Sequence, residues 1–296
     1  MNYIMNHAIY QVGDPVLVSY NGPEVKGDVV LVQGSLVTVR IEGGRKVVCE
    51  ANFLTHLRPT AARHRVLPLW PIQKRRVLLS KAVEMVARGF SPSLIIVGQP
   101  GLGKTYEVTR TLQAMGLERD HDYYHVKGYT SARGLYETLF AHNGGLTVFD
   151  DCDNALNDCL SVELLKGALD SHDVRTISWL TAAKRKTKLP NSFEFTGQVI
   201  FITNRSLAEI DEAIHSRSLV IDFCMNQQEI LEHMETILPT VASPATPDQR
   251  QRAMEFVREW AANIRQLNLR TLLSVLHIIM AHPTNWEELA LYTVTK

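Results

Sequence analysis

Cysteine is scarce in this chain, and a long apolar run is missing altogether. The four cysteines, Cys49, Cys152, Cys159 and Cys224, form no CxxC pair. Their spacing speaks against a zinc ribbon or a disulfide framework, and they read as reduced thiols of a cytosolic protein. No stretch of 18 apolar residues occurs. The N-terminal MNYIMNHAIY carries neither a basic segment nor an apolar run of signal length, so the chain is expected to be neither exported nor membrane-spanning. Net charge is also absent: 31 Lys and Arg balance 31 Asp and Glu. Without a global basic field, any contact with nucleic acid must come from local patches. What is present is ordinary for a globular protein, 45% apolar and 21% charged residues over 296 positions, enough for about two domains with ample core.

One stretch stands out, Leu94 to Thr105, reading LIIVGQPGLGKT. A short apolar strand runs into Gly98-x-x-x-x-Gly103-Lys104-Thr105, the P-loop pattern. Gly98, Gly101 and Gly103 let the backbone wrap an anion, with Gln99, Pro100 and Leu102 between them. Lys104 reaches the outer phosphates, and the Thr105 hydroxyl can hold Mg²⁺. A helix opening here, with Tyr106 in its first turn, adds its N-terminal dipole to the same site. The pattern predicts ATP and Mg²⁺ as cofactors.

Upstream, residues 8–60 are rich in short β-type runs: Val16–Tyr20, Asp28–Val32, Leu36–Arg40 and Arg45–Cys49. Asn21-Gly22-Pro23, Gln33-Gly34-Ser35 and Glu42-Gly43-Gly44 separate them. Close strands with tight turns predict a small barrel. With Gly13-Asp14 ahead of the first strand and Leu54-x-x-Leu57 behind the last, the module resembles SH3-like barrels of the Tudor or KOW type. Such barrels bind nucleic acid, peptides or other subunits, and a purely structural docking role fits equally. Residues 61–91 read as an Arg/Pro/His linker followed by an amphipathic helix from Gln73 to Arg88 that stops at Gly89.

Residues 92–224 alternate strands and helices, which predicts an α/β fold with a mostly parallel sheet. The strand Leu146–Phe149 ends in Asp150-Asp151. Downstream of a P-loop that is the Walker B arrangement, with Asp150 holding the metal and Asp151 orienting or deprotonating a water. Asp153 is a candidate to share that second role. A later strand, Val199–Ile202, ends at Thr203-Asn204, where Asn204 can position the water; taken alone, such an Asn is equally turn chemistry. A helix is expected from Ala208 to Ser218, then a strand, Leu219–Phe223. From residue 225 to 296, four helical segments punctuated by prolines predict a helical bundle.

Taken together, this order of motifs resembles the AAA+ ATPase family over about 92–280. The resemblance implies a homo-oligomeric ring, a hexamer, with Arg217 as an arginine finger reaching the neighbouring subunit's nucleotide and Arg205 as a second candidate. It places Arg270 at the sensor-2 position and makes 225–296 the lid. Most relatives carry Glu where this chain has Asp151, one methylene shorter. Tyr129, in Gly128-Tyr129-Thr130, falls at the first pore loop, where an aromatic grips a strand or polypeptide. Lys184, Arg185, Lys186 and Lys188 fall where pore-facing insertions occur and can track a phosphate backbone, although a charged loop is as often merely solvated.

Three readings follow: a ring ATPase that remodels or moves along nucleic acid, a protein remodeller that grips a client through Tyr129, and a nucleotide-gated switch that hydrolyses little. The Phe149-Asp-Asp-Cys-Asp153 and Lys166-Gly-Ala-Leu-Asp170 stretches are similar to AAA+ proteins encoded by bacteriophages. That implies action in a bacterial host's cytoplasm, in phage DNA replication or transactions, with nucleic acid favoured over protein as the substrate.

Overall fold

The computed structural model describes residues 12–13, 15–19, 25–33, 36–50, 53–56, 70–180, 189–241 and 244–295. It divides into two units, residues 1–69 and 70–296.

In the first unit the strands are β1 (Pro15–Val18), β2 (Val25–Gln33), β3 (Leu36–Ile41), β4 (Lys46–Glu50) and β5 (Leu54–His56). They form one antiparallel sheet in the order β4-β3-β2-β1-β5. Alternation drives it: Val16 and Val18, Val37 and Val39 point to one face, where Val29, Cys49 and Leu54 join them. A register shift between Val29 and Leu31 marks a bulge in the long β2.

The second unit opens with α1 (Ile72–Ala87), which leads into β6 (Ser93–Val97), the strand before the P-loop. The following elements are α2 (Lys104–Ala114), β7 (Tyr123–Lys127), α3 (Ala132–Ala141), β8 (Leu146–Asp150) and α4 (Cys159–Ala168). A small antiparallel pair, β9 (Thr176–Ser178) and β10 (Ser192–Glu194), precedes β11 (Gln198–Ile202). The basic cluster Lys184, Arg185, Lys186 and Lys188 belongs to the connection between β9 and β10 and lies outside the described residues. The α5 helix (Glu212–His215) and β12 (Leu219–Asp222) complete the sheet, whose order is β12-β6-β11-β8-β7 and whose ladders are all parallel.

Every residue of β6 and β8 is buried, as expected for strands covered on both faces. Period two still sorts them. Leu94, Ile96, Val148, Ile200 and Ile202 face α1, α2 and the C-terminal helices. Ile95, Val97, Phe149, Val199 and Phe201 face α3 and α4. At about 25 cal/mol per Å² of apolar surface, these two cores dominate the favourable side of folding.

The long helix expected from Ala208 to Ser218 is broken. A 3-10 turn at Leu207–Glu209 is closed by a Ser206/Glu209 capping box, and the Asp211 side chain then accepts from Ala213 N to start the four-residue α5. Two caps in six residues outweigh the helical periodicity.

The C-terminal helices are α6 (Gln227–Ile237), α7 (Pro247–Trp260), α8 (Leu269–Ala281) and α9 (Trp286–Val294). Capping boxes start α6 at Asn226/Glu229 and α7 at Thr246/Gln249, with Pro247 suited to the first turn of α7. Leu272, Val275, Leu276 and Ile279 give α8 a fully buried stripe in the same core as the P-loop strand. No helix among the described residues is long and apolar enough to cross a membrane.

Candidate functional site

Sheet order brings the motifs together. β11 lies between β6 and β8, so the P-loop, Asp150-Asp151 and Asn204 all leave neighbouring strands at their C-terminal ends. Gly98, Gly101 and Gly103 have φ of 154°, 77° and 87°, and the last two lie in the left-handed region that side chains resist. Gly103 precedes the first residue of α2, so the loop ends on a helix N-terminus.

The P-loop lysine is nearly buried. Its Nζ donates to Gly98 O at 2.6 Å, Gln99 O at 2.9 Å and Asn204 Oδ1 at 2.9 Å. Burial lowers its pKa, and the charges of Asp151, Cys224, Asp150 and Asp153 oppose that shift. Asn204 uses both ends of its amide, because Nδ2 donates to Asp151 Oδ1 at 2.8 Å. That pattern fixes which end is oxygen. Lys104 and Asp151 are therefore joined through a single side chain.

Asp150 is buried to 1% exposure, and Thr105 Oγ1 donates to its Oδ1 at 2.9 Å. Its Oδ2 lies 3.4 Å from both His125 Nε2 and Lys127 Nζ, yet finds no well-formed hydrogen bond among the described residues. Burial raises the pKa of this carboxyl, but His125, Thr105 and Lys127 together hold it below the usual range. A buried carboxylate with one oxygen uncommitted, beside a threonine hydroxyl, is a donor set that suits a hard cation such as Mg²⁺. Asp151 has φ 55°, a left-handed value for a residue with a side chain. It is held there by its N–H donating to Ile202 O at 3.0 Å and by Asn204. Strain of this kind, about 1–3 kcal/mol, tends to be retained where function needs it.

A cleft of about 700 Å³ opens over these groups. Gly101, Leu102, Gly103, Lys104, Thr105, Tyr106, Asp151 and Asn204 line it from the sheet side, and His233 and Arg270 from the C-terminal helices. Arg217 is exposed at the end of α5, where its Nη1 donates to Ala213 O, and it does not line the cleft. Asp153 is turned to Thr203 and Arg205, away from the cleft. Arg205 is shared between Asp153 and Glu209. Tyr129 is 82% exposed, on a loop whose flanks are fixed: Gly128 N donates to Asp150 O, and Asn154 pairs with the Thr130 backbone.

Several contacts around the site carry no sequence signal. Gln99 pairs with both N and O of Met225, at 3.0 and 3.1 Å, tying the P-loop to the segment before α6. Gly101 O accepts from Leu269 N, and a Cβ on Gly101 would meet Asn268 Cγ at 2.8 Å. Asn268 itself caps α8 through Arg270 N and Thr271 N. Arg76 and Glu107 form a largely buried ion pair at the cleft wall, with His233 buried nearby. The one clue is Glu107, a carboxylate beside Val108 and Leu112 on the buried face of its helix, which demands a partner.

This sheet order and site define a P-loop α/β fold with a C-terminal helical region. No family model matches the chain. An uncharacterised 36.7 kDa protein of Enterobacteria phage T4, from the nrdC–mobD intergenic region, is 28% identical over 238 residues, covering 74% of this chain and 73% of that protein. Among solved structures, domain III of the Thermotoga maritima replication initiation protein DnaA is 15% identical, with a TM-score of 0.45 over 77% of this chain and 98% of that one. A chain of the HORMA–CdnC–Trip13 complex of E. coli MS115-1 is 11% identical, with a TM-score of 0.43 over 79% and 91%. The FIGL-1 AAA domain in complex with ADP is 15% identical, with a TM-score of 0.41 over 71% and 70%. At such scores the likeness is one of outline.

Proposed function

We propose that this protein is an ATPase that works as a homo-oligomeric ring, a hexamer, and remodels or translocates nucleic acid in the cytoplasm of a bacterial host, in phage DNA replication or transactions. The observation that carries the ATPase reading is the chain of contacts from Lys104 through Asn204 to Asp151, beside the Thr105–Asp150 pair. ATP would lie with its phosphates on the P-loop amides and Lys104, and Mg²⁺, held through Thr105 and Asp150, would supply charge neutralisation at the transferred phosphoryl group. Asp151 accepts a proton from, or orients, the attacking water, and Asn204 fixes the carboxylate that does so. Arg270 faces the cleft and suits contact with the outer phosphate from the helical side. Arg217, exposed and outside the cleft of its own chain, suits a contact made across to a neighbouring subunit.

The nucleic-acid reading rests on Lys184, Arg185, Lys186 and Lys188, four cations in five positions. The exposure of Tyr129 favours a second reading, in which that ring grips a polypeptide client. Steady-state hydrolysis against protein concentration, with and without single- and double-stranded DNA, separates them. A rate per subunit rising with concentration and again with DNA is the expected result. Concentration dependence with indifference to DNA would move the substrate to protein. ATP binding with no turnover would make the protein a nucleotide-gated switch.

A further inference from the structure

Lys127 is a residue that the P-loop pattern does not ask for. It ends β7, and the parallel ladder pairs it in register with Asp150 at the end of β8. In-register neighbours on adjacent strands point to the same face, and His125, two residues earlier, points there too. Asp150 thus has its Oδ1 on Thr105 and its Oδ2 turned to two nitrogens of β7, each at 3.4 Å.

The distribution of charge gives Lys127 its role. Lys104 spends its three donors on Gly98 O, Gln99 O and Asn204 Oδ1, and none on a carboxylate. Among the described residues, Lys127 is the only lysine or arginine in ion-pair range of Asp150. The lysine side chain is 67% exposed while the carboxylate is 1% exposed, so a solvent-facing lysine rests its ammonium against a buried oxygen. That oxygen is also the one left without a well-formed hydrogen bond. Two positive charges at close range of one oxygen repel each other, so a metal ion and the ammonium compete for it.

We propose that Lys127 is a placeholder cation: it balances Asp150 while the site holds no metal, and cedes that place when a metal–nucleotide complex binds. This rests on the nucleotide reading of the cleft. A lysine here then sets how strongly nucleotide affinity depends on the divalent ion. Without Lys127, only His125 still faces that oxygen, so the metal-free site presents a less compensated carboxylate to the incoming phosphates, and the metal meets no competing ammonium.

The test measures binding and not turnover. ADP affinity is determined by calorimetry in EDTA and again in Mn²⁺, and the free-ion Mn²⁺ resonance follows metal uptake directly. Wild type is compared with Lys127→Met and Lys127→Arg; the exposure of the side chain makes both substitutions compatible with folding. The ratio of the two ADP affinities is expected to rise by about three-fold or more in Lys127→Met, with tighter Mn²⁺ uptake, and to stay near wild type in Lys127→Arg. An unchanged or smaller ratio in Lys127→Met, with ADP binding intact, overturns the placeholder role and leaves the nucleotide reading standing. No ADP binding by the wild type in either condition overturns both.

Discussion

On the sheet side of the cleft, the residues that would handle phosphate sit within a few positions of a strand end: Lys104 and Thr105 after β6, Asp150 and Asp151 at β8, Asn204 after β11. On the helical side, the lining residues are scattered, with His233 in α6 and Arg270 in α8 more than thirty positions apart. The sheet side is organised by backbone, since parallel ladders bring strand ends together whatever the side chains are. The helical side is organised by packing and by individual hydrogen bonds to the P-loop, through Gln99 and Gly101. One wall is therefore set by topology, and the other is held to it by a shared apolar core and a few hydrogen bonds to the P-loop.

Substitutions can break either wall separately. Lys104→Ala removes a charged group from the sheet side, and ATP affinity is expected to fall on the order of 100-fold by calorimetry with the fold intact. Leu276→Ala opens a cavity under α8; it should cost about 2–5 kcal/mol in a denaturant titration, with the helical side loosening before the sheet core. Gly101→Ala sets a Cβ against Asn268 at a φ of 77°, and about 1–3 kcal/mol of destabilisation is expected. Adding Asn268→Ala should restore part of that loss, although alone it removes the α8 cap and costs about 1 kcal/mol. Strict additivity in the double variant would show that the P-loop and α8 are not coupled there.

The smallest expected effect is a pH dependence of the helical wall. Burial, and then the charge of Arg76, lower the His233 pKa, while Glu107 and the Leu102 backbone act the other way. The unfolded chain therefore takes up a proton as pH falls through the ordinary histidine value of 6.5, while the folded chain resists it. Stability should decline below that value and show no contribution from His233 above it. His233→Gln should flatten the change in melting temperature between pH 7.5 and 5.5; an unchanged slope would place the acid sensitivity elsewhere.

The same contrast governs what could be read from the sequence. The P-loop, the paired carboxylates and the strand-tip Asn204 were legible because each occupies a fixed offset from an apolar run. The C-terminal helices were legible as helices, since their caps are local: Asn226, Thr246 and Asn268 each precede a periodic segment. Their relation to the cleft was not. Gln99 reads only as a loop residue until Met225, 126 positions away, is placed beside it. Lys127 reads as the end of a strand until β7 is paired with β8. The helix expected over 208–218 failed because periodicity carries no warning of two competing caps. Asp151 looked like a shortened Glu; its left-handed backbone, which re-aims the carboxylate towards Asn204, emerges only in three dimensions.

Hydrolysis of ATP by wild type, Lys104→Ala and Asp151→Asn, each with its ATP affinity measured in the same buffer, tests the central reading most directly. We expect turnover in the wild type alone, ATP binding retained by Asp151→Asn, and in Lys104→Ala no turnover with ATP binding weakened on the order of 100-fold. Tight ATP binding by Lys104→Ala, or undiminished turnover by Asp151→Asn, would contradict it.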